Sequence, residues 1–79
     1  MKTPKLYLAA ALISLGAGLE HVDRTDPRHM EFHLVFSSPI MDEDEWFEKN
    51  KSQWDNKTLT VNAQAFVDAI QKLKSEVHQ

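Results

Sequence analysis

The sequence predicts a small α+β domain in which an antiparallel sheet packs against the first and last helices. Three observations carry that expectation. Residues 6–15 form an apolar run opened by Thr3-Pro4 and closed by Gly16. Met30, Phe32, Leu34 and Phe36 alternate with other residues, the period-two signature of a strand with one buried face. Phe66, Ile70, Leu73 and Val77 recur at helical spacing behind Asn62, a residue suited to accept the first free helix N–H groups. The expected order is helix, strand, strand, helix, short strand, helix, in one domain over residues 1–79.

The opening segment has two readings. As a structural helix, Thr3 is its N-cap, Pro4 takes the first helical position, where a missing N–H costs nothing, and Gly16 terminates it. As a secretory signal, Lys2 and Lys5 precede an apolar stretch ending in the small residues Gly16 and Gly18. The run is too short to span a bilayer, so no membrane partner is expected. The helix is preferred, because removing residues 1–18 would leave a thin core with no disulfide to staple it. That preference implies a cytoplasmic protein, and the signal reading an exported one.

Gly18–Arg24 reads as a strand, Thr25–Arg28 as a turn built on aspartate and proline, and His29–Phe36 as the second strand of a hairpin. Asp42 begins a further helix, with Glu45 completing a capping-box variant and Met41 placed to pack on Trp46. This helix is expected to fade between Asn50 and Trp54. Asp55–Lys57 is a turn, and Leu59–Val61 a short third strand. In the last helix Asp68 and Lys72 form an i,i+4 pair.

Composition narrows the function. Nine basic and twelve acidic residues give a net charge of −3, which disfavours a passive grip on nucleic acid. The absence of cysteine excludes a thiolate metal site. No nucleophile elbow, phosphate-binding loop or dinucleotide-binding glycine pattern is present, so neither an enzyme nor a cofactor is expected. A chain of this length buries only roughly 60% of the surface its unfolded form exposes, so a second copy or another protein could add useful burial.

Two constellations carry candidate chemistry. Asp42, Glu43, Asp44 and Glu45, followed by Trp46, form an acidic run that either compensates a helix N-terminus or docks on a basic partner. His29, Glu31 and His33 share the outward face of one strand, with His21 able to approach from its neighbour. Imidazole and carboxylate suit a divalent ion, but alternate strand residues lie about 7 Å apart and need a second strand to converge. Trp46, Phe47 and Trp54 are expected in the core, with a partner-facing aromatic patch as the alternative, and Asn56–Thr58 matches a glycosylation sequon that matters only in a secreted protein.

The layout resembles a family of short uncharacterised proteins of bacteriophages and mobile elements. The residues that carry the likeness are Leu6, Tyr7, Leu8, Ala9, Leu12 and Gly16, then Phe32, Val35 and Phe36, then Trp54, Val61, Phe66, Leu73 and Lys74. The run Asp42–Glu45 departs from it. The resemblance implies a cytoplasmic, phage-associated accessory protein and brings no catalytic residue. With the acidic run, it gives the expected function: a non-enzymatic protein-binding factor, in its sharper form an acidic inhibitor of a host defence or nucleic-acid-binding protein. The rival is a small exported, metal-binding protein.

Overall fold

A helix that is apolar all round has no face to present to water and is stable only when enclosed. The computed structural model, which describes residues 1–26 and 28–77, encloses one. The helix α1 (Leu6–Ser14) has Leu8, Ala9, Ala10, Ala11 and Leu12 all buried. Its alanines carry little bulk, and α1 packs most extensively on α3 (Ala63–Val77), with further contacts to α2 (Glu43–Asp55) and to the sheet. None of the described helices is long and apolar enough to cross a membrane.

The sheet has three strands, β1 (Lys2–Thr3), β2 (Gly18–Asp23) and β3 (Glu31–Val35), in the order β1-β3-β2, and both pairings are antiparallel. The α+β architecture, with its antiparallel sheet against helices, is therefore as expected. Its third strand is not. Leu59–Val61 lies outside any strand, and the Leu59 N–H turns back to Gln53 O of α2. Residues 2 and 3 take the free edge of β3 instead, and Met1 extends the pairing: its N–H donates to Leu34 O at 2.9 Å and its O accepts from Leu34 N–H at 2.7 Å.

That pairing also removes Thr3 from its expected role. Thr3 is buried in the sheet opposite Phe32, and Lys5 holds the N-cap position of α1 with no side-chain cap bond. The Thr3 hydroxyl accepts the Lys5 N–H at 3.2 Å, and Pro4 stays outside the helix. Asn62 caps α3 as expected, its Oδ1 accepting the Ala65 N–H at 2.9 Å. Asp68 accepts from Gln64 Nε2 at 3.0 Å rather than pairing with Lys72. The helix α2 runs to Asp55, one residue past the window Asn50–Trp54 in which it was expected to fade.

The core joins Leu8 and Leu12 of α1, Phe32 and Leu34 of β3, Phe47 of α2, and Ala69 and Leu73 of α3. Trp46, Trp54, Phe66, Ile70 and Val77 pack around it half-buried. Phe32 and Leu34 bear on the helices, which leaves His33 and Val35 on the opposite side of the sheet. An antiparallel sheet with one wet face accommodates that arrangement. The expected turn falls on Thr25–Arg28, where Asp26 Oδ1 accepts the Arg28 N–H at 2.9 Å; Pro27 lies outside the described residues.

Helices α1 and α2 end alike. After α1, Gly16 N–H reaches Ile13 O and Ala17 N–H reaches Leu12 O, both at 3.0 Å. After α2, Lys57 N–H reaches Trp54 O at 3.0 Å and Thr58 N–H reaches Gln53 O at 2.9 Å. This pair of hydrogen bonds needs a residue with positive φ, and Gly16 meets it at 123° without a Cβ penalty. Lys57 meets it at 61° with a Cβ in place. Lys57→Gly is therefore expected to raise unfolding stability by about 1 kcal/mol. Urea titration should show the midpoint rise with an unchanged slope.

Candidate functional site

The acidic run is divided by the fold. Asp42 is the N-cap residue of α2 but makes no side-chain cap bond, so the expected capping box with Glu45 does not form. Its backbone O accepts from Trp46 N–H at 2.9 Å. Glu43 is structural: its Oε2 accepts the Phe36 N–H at 3.0 Å, tying the end of β3 to the start of α2. Glu43, Asp44 and Glu45 occupy the first turn, where negative charge offsets the positive end of the helix dipole. Asp42, Asp44 and Glu45 are exposed.

Trp46 joins that junction. Its ring stacks on Phe36 with centroids 3.9 Å apart and planes 5° from parallel, and it meets Phe47 edge-on at 5.1 Å. Phe36, Met41 and Trp46 line a shallow depression that also borders Ile40 and Lys49. Ile40 is 92% exposed, the most open of the large apolar residues described. An aromatic floor, a free aliphatic side chain and three exposed carboxylates thus sit within one short stretch of chain.

The histidines gather elsewhere and in a different set. Leu19 pairs with Leu34 and His21 with His33, so Glu20 is an extra residue bulged out of β2. The bulge lets Leu19 and Val22, three residues apart, both pack on the core, and it puts His21 across from His33 on the open face. The two rings lie 4.0 Å apart, tilted by 33°. One ligand atom from each of Glu20, His21 and His33 falls within 4.8 Å of the others. His21 Nδ1 stands 3.6 Å from Glu20 Oε1, and His33 Nε2 stands 3.9 Å from Asp23 Oδ2. That His33 nitrogen is buried without a hydrogen-bond partner. The Thr25 hydroxyl and backbone N–H hold the Asp23 carboxyl below its ordinary value, and His33 and His21 act in the same direction.

His29 and Glu31 do not join this cluster, contrary to expectation. The strand begins at Glu31, so His29 belongs to the preceding turn, its N–H on Asp26 O, and borders a groove with Phe32, Arg28 and Lys74. Glu31 pairs with Asp23, one register step beyond Phe32, and does not belong to the set of ligand atoms that converge. Sequence reasoning missed Glu20 because strict alternation assigns it to the core face. The signal available was the three-residue spacing of Leu19 and Val22, which a regular strand cannot place on one side.

No known protein family, curated protein or solved structure matches the chain.

Proposed function

We propose that the protein is a non-enzymatic, cytoplasmic interaction factor that binds a basic protein through the start of α2. The observation that carries this reading is the exposed Ile40 beside the Phe36–Trp46 stack, with exposed Asp42, Asp44 and Glu45 close by in the chain. Binding surfaces concentrate their energy in an apolar, aromatic centre and use the charged rim for steering and selectivity. Lys49 borders the depression too, but the three exposed carboxylates at Asp42, Asp44 and Glu45 outnumber it, so the complement is positive. The sharpest form of this reading is an accessory protein that inhibits a host defence or nucleic-acid-binding protein. The buried α1 supports a cytoplasmic location, because cleaving it as a signal would uncover Phe32 and Leu34. Both glycines, Gly16 and Gly18, serve the end of α1 and the start of β2, which leaves none to cradle a phosphate.

The test neutralises these three carboxylates and spares Glu43, because that carboxylate holds Phe36. Asp42→Asn, Asp44→Asn and Glu45→Gln together, and Ile40→Asp separately, are compared with the parent chain as bait in host lysate. The partner is identified by mass spectrometry and then titrated in purified form. The expected result is a basic partner whose affinity falls at least tenfold in both variants, while His21→Ala binds normally. Unchanged affinity in the triple variant would overturn the reading.

A further inference from the structure

We propose that Glu20, His21 and His33 form a binding site for a divalent transition-metal ion of the Zn²⁺ class on the open face of the sheet. Two imidazoles and a carboxylate are suitable donors for such an ion, and with no cysteine in the chain they meet no competing thiolate. Convergence is the usual obstacle for surface histidines, and the β-bulge removes it. By displacing Glu20 it brings two consecutive residues of β2 to the same side as His33, with ligand atoms no more than 4.8 Å apart. Tetrahedral coordination at ordinary bond lengths needs separations of about 3.3 Å. Rotation of the exposed Glu20 and His21 side chains, 57% and 54% open, can supply the difference.

His33 is the fixed member. It sits on the central strand, its side chain is only 16% exposed, and its Nε2 is buried without a partner. A buried polar atom with no partner is uncommon and costly, and a bound ion or its water would satisfy it. Asp23 adds a second carboxylate 3.9 Å from that nitrogen. Lys2, opposite His33 on the other side, faces the same row in the strand register. Three protein ligands leave a coordination position for water, and the nitrogen-rich set discriminates against Mg²⁺ and Ca²⁺, which prefer oxygen.

The test uses the full chain without a histidine tag, titrated with zinc chloride by calorimetry at pH 7.5. The ring-carbon NMR signals of the histidines are followed in parallel. The expected result is one equivalent bound, with the His21 and His33 signals moving and those of His29 still. His21→Ala, at an exposed edge-strand position that leaves the core intact, should weaken binding at least tenfold. His29→Ala should bind as the parent does, and magnesium chloride should give no saturation. Failure of both signals to move on adding zinc would overturn the site. So would equal affinity in the parent and His21→Ala, or the loss of binding in His29→Ala.

Discussion

Leu12→Ala is expected to remove about 3 kcal/mol of unfolding stability, more than half of what a chain this size commands. Leu12 is fully buried near the end of α1, in the cluster that holds Phe32, Phe47 and Leu73. Truncating it loses the transfer free energy of the missing carbons and leaves a void. The void closes poorly because the adjacent positions are already alanine: Ala9, Ala10 and Ala11 have nothing to swing into the gap. With about 5 kcal/mol in total, the variant retains about 2 kcal/mol and remains folded in the cold. Its thermal midpoint should fall by about 12–24 °C. Leu15→Ala, one turn later and 36% exposed, should cost less than about 1 kcal/mol. A Leu12→Ala loss no larger than that of Leu15→Ala, read from parallel urea titrations, would contradict the burial of α1.

The parts of the fold that were legible in the sequence are those with a long period. The alternation from Met30 to Phe36 located β3, and the apolar spacing from Phe66 to Val77 located α3 with its Asn62 cap. A two-residue strand has no period at all, so β1 could not be read, and its formation in turn displaced Thr3 from capping α1. The end of α2 was legible only to a window, because Lys49–Gln53 is polar; Trp46 and Trp54, eight residues apart, lie within one continuous helix.

The candidate sites divide in the same way. Residue type located the acidic run, but only the tertiary bond from Phe36 to Glu43 shows that one of its four carboxylates is a strut. Residue type also drew attention to His21 and His33, while His29 precedes the strand, which begins at Glu31, and Glu31 stands one strand repeat of about 7 Å from His33. The bulge at Glu20 changes the register by one residue, and such a shift moves every following side chain to the other face.

The central claim is that the first eighteen residues are part of the folded core. They supply β1, which closes one edge of β3, and α1, which covers Phe32 and Leu34 and gives α3 its packing surface. A chain beginning at Leu19 therefore loses the element against which the rest is arranged. What remains is a two-stranded hairpin and two helices, and a lone hairpin is marginal in water. Burying apolar area is the dominant favourable term in folding, and without α1 it no longer offsets the conformational entropy of ordering the remaining residues. The decisive measurement is thermal unfolding of that shortened chain, followed by near-ultraviolet circular dichroism of Trp46 and Trp54. The expected trace is flat, with no cooperative transition and no fixed tryptophan signal at any temperature. A cooperative melt at the midpoint of the full chain would contradict the account.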